Sequence, residues 1–245
     1  MRQAIRLCVL GLALAACAGT VCAADTEHEF QDFPGQVLTD GFFEAHLDLF
    51  YRKAGIAADR RADFADARKH YQLAARYADK PSQARLGEMY WEGQGGASDR
   101  VMGFLWMALA AERNYDAFQA RKMDYWNQLT PDERKRAAAL DQKMLGEYGD
   151  AVAKPRQAKV MRREALRGTG GLLGYSEGQL VSINTPRGNP IDPQVYYAKE
   201  FWEPDAYWRM QDYVWDGRTP GRVDIGTVQD LGSQPPATVP ATDQP

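Results

Sequence analysis

The sequence predicts an all-α protein: an α/α helical-repeat solenoid with a small irregular or short-β cap toward the C-terminus and a disordered tail. Residues 63–85 and 99–121 align without a gap at an offset of 36 residues, with small residues at equivalent places. Helix-start residues precede several of the apolar periodic stretches. After Gly168 glycine, proline and aromatic residues become frequent, which marks the end of the repeats.

The first 24 residues predict a secretory signal peptide that is not part of the fold. Arg2 and Arg6 form a positive start, and residues 7–18 form an apolar run that is too short to span a bilayer. Small residues follow at positions 21–24, so cleavage after residue 23 or 24 leaves a mature chain that begins near Asp25. The chain is therefore expected to be exported to the periplasm.

A second interpretation of the same segment is lipidation. Residues 14–17 (LAAC) have the form of a lipobox, which would make Cys17 the lipidated first residue of an outer-membrane lipoprotein. That signal peptide would be very short, and it would leave Cys22 as a lone thiol in an oxidising compartment. Cleavage after residue 23 or 24 is favoured. It removes all three cysteines, so the stability of the mature chain must come from a packed core.

The charge of the chain argues against two classes of partner. The net charge is -3, and removal of Arg2 and Arg6 brings it to about -5. A mildly acidic exported chain is a poor candidate for nucleic-acid binding, and it has no obvious electrostatic attraction to an anionic membrane. Membrane contact is therefore expected only through a lipid on Cys17.

The repeat pattern and the capping residues divide the middle of the chain into predicted helices. These helices cover residues 40–54, 61–78, 81–92, 99–113, 115–128, 131–148 and 154–167. Thr130 and Glu133 flank Pro131 as a capping box, which is the strongest of the helix starts. We assign residues 25–150 to the helical-repeat domain and residues 151–217 to a further helix with an aromatic cap region.

The C-terminal part has a different character. Residues 179–184 (QLVSIN) alternate as a strand does, and residues 195–201 are a second predicted strand. This aromatic region is expected to pack back on the last helices as a cap, because a solenoid needs its open end covered. Residues 218–245 are a predicted flexible tail, in which the proline-rich stretch from residue 232 onward shows no apolar periodicity.

Residues 84–117 carry a specific repeat motif. Its elements follow in the order Ala84, Leu86-Gly87, Met89-Tyr90, Gly93, Gly95, Asp99, Trp106 and Ala110-Ala111. In order and spacing they resemble the Sel-one-like repeat, a relative of the tetratricopeptide repeat, over about residues 41–128. The resemblance implies an α/α solenoid with adaptor or scaffold roles in protein complexes. It also implies, for exported bacterial members, links to envelope assembly or polysaccharide secretion.

Two residues depart from that pattern. Gly103 replaces the usual alanine and Gly96 stands where valine is common, so the helix crossing is expected to be looser there. The cysteine pairs that staple helix pairs in some exported members are absent from the predicted mature chain. The resemblance therefore lends no support to penicillin-binding or β-lactamase-like activity. The glycines between residues 93 and 96 are interpreted as a helix stop and turn, not as a ligand-binding loop.

No catalytic, cofactor or metal site is predicted. His28, His46 and His70 are far apart in sequence and form no metal motif. His70 stands at the repeat position of Trp106, which favours a role in core packing. Carboxylate pairs occur at helix starts, where negative charge meets the helix dipole. The glycines between residues 168 and 174 imitate a dinucleotide fingerprint, but the segment before them is a predicted helix rather than a strand.

Function is therefore expected from binding surfaces. The first hypothesis is a non-enzymatic adaptor or scaffold that binds an unidentified envelope protein through the first helix of each pair. Its candidate residues are Glu88, Tyr90, Trp91, Glu92, Arg121, Tyr125 and Trp126.

The alternative hypothesis is a module that binds a glycan, either peptidoglycan or an exopolysaccharide. In that case Trp202, Trp208 and Trp215 would present their rings to sugar faces, and their exposure decides between this role and core packing. A basic helix face offers a further surface, formed by Arg156, Lys159, Arg163 and Arg167. The favoured interpretation of these four residues is an ordinary solvent-exposed helix face. The other interpretation is a docking strip for an acidic protein or an anionic glycan.

Overall fold

A computed structural model describes residues 30, 33–35, 37–168, 183–184 and 190–215. The helices within these ranges are α1 (Asp40–Ala45), α2 (Leu47–Arg60), α3 (Phe64–Ala75), α4 (Lys80–Glu92), α5 (Arg100–Ala110), α6 (Asp116–Gln128), α7 (Pro131–Tyr148), α8 (Asp150–Gly168), α9 (Pro193–Tyr196), α10 (Lys199–Trp202) and α11 (Pro204–Trp215). Two short strands, β1 (Ile183–Asn184) and β2 (Pro190–Ile191), pair antiparallel. The signal peptide, Cys17, His28, residues 169–174 and the tail lie outside the described residues.

Two stacked helix pairs form the centre of the molecule. α2 packs on α3, α4 packs on α5, and α3 joins the two pairs through its contact with α4. Their shared core contains Ile56, Tyr71, Leu86, Leu105 and Leu109, all buried. Helix pairs that stack in this way bury faces that one pair alone would leave in water. The predicted all-α helical-repeat architecture is confirmed.

The repeat offset appears in the helix boundaries themselves. Asp63 begins α3 by accepting a hydrogen bond from the amide of Asp66, and Asp99 begins α5 by accepting from Val101 and Met102. These two aspartates were matched by the sequence repeat, and both are N-caps. The matched pair of His70 and Trp106 differs: Trp106 is buried, whereas the side chain of His70 is 31% exposed and lies 3.4 Å from Asp66. Core packing does not explain His70.

The crossing of α4 and α5 is tight, and the expected looseness at Gly103 is wrong. A Cβ atom on Gly103 would lie 3.0 Å from the carbonyl oxygen of Gly87, and one on Gly87 would lie 3.1 Å from that of Gly103. The two glycines let the helix backbones approach more closely than alanine would allow. Gly103 therefore tightens this pair.

The turn after α4 depends on two glycines with positive φ. Gly93 ends the helix at φ 79°, and its amide donates to the carbonyl of Met89. Gly95 has φ 75°, and a Cβ atom there would lie 2.3 Å from the carbonyl oxygen of Phe64, at the start of α3. The glycine run is therefore a scaffold corner that also touches the preceding repeat.

Replacement of Gly95 by alanine is expected to lower the free energy of unfolding by about 2 kcal/mol, because it adds left-handed strain and an overlap with backbone. Gly96→Ala is the matched control. Its Cβ would meet only the end of the flexible Arg68 side chain, at 2.8 Å. Chemical denaturation of both variants measures the difference. Equal costs would show that the contact of Gly95 with Phe64 is unimportant.

α6 continues the repeat but does not form a third pair. It lies at the same offset of 36 residues from α4, yet α7 packs chiefly on α5 and α8. The repeat equivalent of Gly87 in α6 is Met123, so α6 lacks the glycine that lets α4 approach α5 closely. Met123 is 51% exposed. One face of α6 is consequently left open.

The C-terminal cap closes the molecule against its first helix. α8 packs on α1, and α10 and α11 pack on α8. Phe42 and Phe201 belong to the resulting core, in which Tyr207 is fully buried. The expected contact with the last helices is found, and the contact with α1 was not expected.

The strand predicted at residues 195–201 is wrong, because helices occupy this segment. Asp192 accepts a hydrogen bond from the amide of Gln194, and Pro193 takes the first helical position of α9. Both are standard helix-start residues. Of the other predicted strand, at 179–184, the structure describes Ile183 and Asn184, which form β1.

Candidate functional site

The candidate site is the face formed by α2, α4 and α6, which we call the ladder face. Charged side chains alternate across it. Arg85 of α4 donates two hydrogen bonds to Asp59 of α2, at 2.7 and 2.9 Å, and a third to Glu88, at 3.2 Å. Arg121 of α6 lies 3.5 Å from Glu88. The four groups form a continuous row of alternating sign: Asp59, Arg85, Glu88 and Arg121.

This row organises the face more than it stabilises the fold. Its side chains are partly exposed, and exposed ion pairs contribute about 0–1 kcal/mol each. Burial acts to lower the pKa of Arg85, but hydrogen bonding and the charge of Asp59 raise it above its usual value. Arg85 therefore stays charged and holds its neighbours in a fixed register.

An aromatic pair lies beside the charged row. The rings of Trp91 in α4 and Tyr125 in α6 are stacked at 3.9 Å and 7° between planes. The guanidinium of Arg100 lies 4.7 Å from the Trp91 ring centroid, a cation–π distance. Tyr125 is buried, and Trp91 is half-buried. The pair joins α4 to α6 and offers part of the Trp91 ring to solvent.

The other predicted protein-binding residues have separate positions. Tyr90 packs under Arg68, with 4.1 Å from guanidinium to ring, and accepts a hydrogen bond from Gln72. Trp126 packs against Phe104 at 5.2 Å between ring centroids. Glu92 is exposed at the end of α4. Of the seven predicted residues, the structure thus brings Glu88, Trp91, Arg121 and Tyr125 together.

Sequence reasoning missed Asp59, Arg85 and Arg100 as members of the ladder face. Arg85 could have been found, because it is the repeat equivalent of Arg121. Asp59 lies near the end of α2, outside the aligned repeat, and no local pattern marks it. Arg100 follows the N-cap Asp99, and a basic residue at that position does not indicate a cation–π contact with Trp91.

The three tryptophans of the cap differ in exposure. Trp208 is only 7% exposed and lies under Arg113, 4.8 Å from guanidinium to ring. Its burial removes it from a sugar-binding platform. Trp202 is half-buried and donates its indole N–H to the carbonyl of Tyr196 at 2.6 Å. Trp215 is half-buried and lies 5.7 Å from Phe118 between ring centroids.

A buried ionic network joins the N-terminal ends of α4 and α8. Lys80 is buried with its ammonium 2.8 Å from Glu112 and 2.9 Å from Asp150. Arg113 lies 2.6 Å from Asp150 and 3.4 Å from Asp212 of α11. Burial acts to raise the pKa of Asp150, but Arg113 and Lys80 hold it well below its usual range. The network ties α4, α8 and α11 together and was not foreseen from the sequence.

His46 also has a structural position. It is fully buried, with Nδ1 2.7 Å from the carbonyl oxygen of Phe42 and Nε2 2.7 Å from that of Phe201. It therefore links α1 to α10. Across the described part of the chain, no group of three or more His, Cys, Asp or Glu side chains is arranged to hold a metal ion. No helix in the same ranges is long and apolar enough to cross a membrane.

The chain matches no protein-family model and no curated protein. One solved structure is similar: a protective antigen present in uropathogenic Escherichia coli strains, which displays an SLR fold. The identity is 21%, the TM-score is 0.34, and the match covers 49% of this chain. The chain spans about a quarter of that antigen, 23% of its length.

Proposed function

We propose that this chain is an exported, non-enzymatic helical-repeat protein that serves as an adaptor or scaffold in the bacterial cell envelope. The observation that carries the proposal is the ladder face, where the charged row and the Trp91–Tyr125 stack form a preorganised surface across three helices. Surfaces that bind proteins need polar groups already held in place, because ordering them on binding costs free energy. The repeat fold supports the same role.

The open face of α6 supports a protein as the partner. In α4 the equivalent positions, Ala84 and Gly87, are buried against α5. In α6 the same positions are Ala120 and Met123, and both are exposed. A helix supplied by a partner would cover them on the side of α6 that corresponds to the α5-facing side of α4. Methionine suits such a contact because its unbranched thioether adapts to irregular surfaces.

Replacement of Met123 by arginine is expected to reduce capture of the envelope partner at least about fivefold, because a charge then occupies the docking position. Affinity capture of the tagged chain from envelope extracts, read by quantitative mass spectrometry, measures the loss. Leu73→Arg on α3 is the matched control, since Leu73 is also an exposed apolar residue, at 38%. Thermal unfolding of both variants should be unchanged.

Arg121→Glu provides a second test, because it reverses the sign at one end of the charged row. It should weaken the same capture, whereas Lys135→Glu on α7 should not. Retention of the full set of partners by Arg121→Glu would exclude the ladder face, and retention by Met123→Arg would exclude the open side of α6. Alanine at Trp91 or Trp126 is less informative, since both rings are packed against neighbours.

Glycan binding, to peptidoglycan or an exopolysaccharide, has less support from the placement of the cap. Trp208 is buried, and the indole N–H of Trp202 is bonded within the cap. Trp215 beside Phe118 is the remaining candidate. Sedimentation with isolated cell wall and with secreted polymer tests the alternative. Retention that Trp215→Ala abolishes would favour it over the adaptor role.

A further inference from the structure

The last three turns of α8 carry a dense group of exposed cations, which we call the basic strip: Lys159, Arg162, Arg163 and Arg167. The carboxylate among them in sequence is Glu164, which is nearly buried beneath two guanidinium groups. Arg163 donates to it at 2.8 Å and Arg167 at 2.6 Å. Glu164 therefore orients Arg163 and Arg167, and the four cations of the strip outnumber this one carboxylate.

The basic strip faces away from the core. Ala153, Gln157 and Met161 form the opposite side of α8 and are buried, and Gln157 donates to the carbonyl of Ala45. Arg156 belongs to the same basic face in the sequence but bonds to the carbonyls of Arg76 and Glu147. It is thus used within the fold, and it does not join the strip.

Glu164 compensates Arg163 and Arg167, whereas no ion pair within the described residues involves Lys159 or Arg162. Like charges four residues apart, such as Lys159 and Arg163, destabilise a helix by a few tenths of a kcal/mol. The helix dipole favours cations in the last turn, which accounts for Arg167. It does not account for Lys159, because the effect falls off beyond the last turn. One carboxylate among four cations leaves the strip with an excess of positive charge in the free chain.

The spacing of the strip suits one shape of ligand. Lys159, Arg163 and Arg167 are four residues apart, so successive cations lie about 6 Å apart along the helix axis. In an extended peptide, side chains on one side recur about every 6.6 Å. Leu166, which is 48% exposed, lies on the same face of the helix.

We propose that the basic strip binds an extended acidic peptide segment in which acidic residues alternate with neutral ones. The acidic side chains contact Lys159, Arg163 and Arg167 in turn, and each guanidinium can bind a carboxylate with two hydrogen bonds. The site is separate from the ladder face and does not depend on the proposed adaptor role.

A narrow peptide fits the electrostatics better than an anionic membrane does. The whole chain is acidic, with a net charge of -3. Charges are screened beyond about 10 Å at moderate salt, so a ligand confined to the strip senses mainly its cations. A flat membrane would also approach the acidic remainder of the surface.

Fluorescence anisotropy with two labelled peptides tests the proposal on the purified chain. In one peptide Glu and Thr alternate; the other has the same composition with its glutamates consecutive. We expect the alternating peptide to bind at least about fivefold more tightly, because only it matches the cation spacing. Arg163→Gln with Arg167→Gln should weaken it by about tenfold, corresponding to two lost charge pairs.

Two further variants keep the test independent of folding. Lys159→Gln with Arg162→Gln leaves both Glu164 pairs intact and should also weaken binding. Lys135→Gln with Arg136→Gln removes two exposed cations from α7 and should leave binding unchanged. Circular dichroism verifies the fold of each variant.

Three results would overturn the proposal. They are equal affinity for the two peptides, an equal loss in the α7 variant, and binding to phosphatidylglycerol vesicles without binding to either peptide.

Discussion

Replacing Arg52 by alanine is expected to lower the free energy of unfolding by about 3–5 kcal/mol, the cost of removing one partner from a buried ion pair. Arg52 and Asp79 are 2% and 1% exposed, and Arg52 Nη2 lies 2.5 Å from Asp79 Oδ1. The side chain of Asp79 also accepts a hydrogen bond from the amide of Ser82 at the start of α4. Without Arg52, a charged N-cap would stay buried between the two helix pairs.

Chemical denaturation at neutral pH measures this cost. Lys135→Ala is the control, because its pair with Asp132 is almost fully exposed and contributes little. Arg52→Met combined with Asp79→Asn should recover most of the stability, since it removes both charges and keeps a capping oxygen. A cost below about 1 kcal/mol for Arg52→Ala would mean that water replaces the arginine and that the pair is not sealed.

The second large effect is expected in the pH dependence of stability, where two buried groups oppose each other. Burial is the main cause that raises the pKa of Asp48 from 3.8 to about 7, and the charge of Asp79 acts in the same direction. Tyr207 lies 2.5 Å from Asp48, and this hydrogen bond and the charge of Arg52 oppose the rise. Burial also lowers the pKa of His46 from 6.5 to about 4, and the hydrogen bonds to the carbonyls of Phe42 and Phe201 oppose this fall.

The two contributions have opposite signs. Asp48 holds its proton more tightly in the folded chain, so its contribution is complete below pH 3.8 and is lost as the pH rises through about 7. His46 holds its proton less tightly, so its contribution is present above pH 6.5 and is lost as the pH falls through about 4. Between these limits the two slopes largely cancel.

Asp48→Asn should therefore expose the slope of His46. The variant's free energy of unfolding is expected to rise by about 3 kcal/mol between pH 4 and 6.5, whereas the unmodified chain changes little. Denaturant titrations across this range make the measurement. Asp132→Asn, at a side chain that is almost fully exposed, should leave the profile unchanged. A flat profile for Asp48→Asn would show that His46 has an ordinary pKa in the folded chain.

Local features of the fold could be predicted because their causes lie within a few residues. Asp63, Asp99 and Thr130 are side chains that hydrogen-bond to amides two or three positions away, so their capping roles follow from the sequence. Gly93 ends α4 because only glycine adopts its positive φ at little cost. The strand prediction at residues 195–201 is wrong for a local reason too, because Asp192 and Pro193 are helix-start residues.

Only the part of the candidate site that lies in the first helix of each repeat pair could be predicted from the sequence. Glu88, Trp91, Arg121 and Tyr125 were chosen from the first helices of the pairs, and the structure brings them together. Arg85 completes the row through a contact with Asp59 that spans 26 residues. Sequence spacing cannot predict such a contact, because it arises from the stacking of separate helices.

The sequence by itself determined the helices of the repeat region, their caps, the 36-residue repeat and the glycine turn after α4, all of which arise from backbone sterics and short-range hydrogen bonds. Only the tertiary structure decided that α8 and the cap close onto α1, that Trp208 is buried, and that Met123 is exposed. Burial depends on which distant surfaces meet. Whether an aromatic or charged side chain lies in the core or on a binding surface is therefore decided by the packing of the helices.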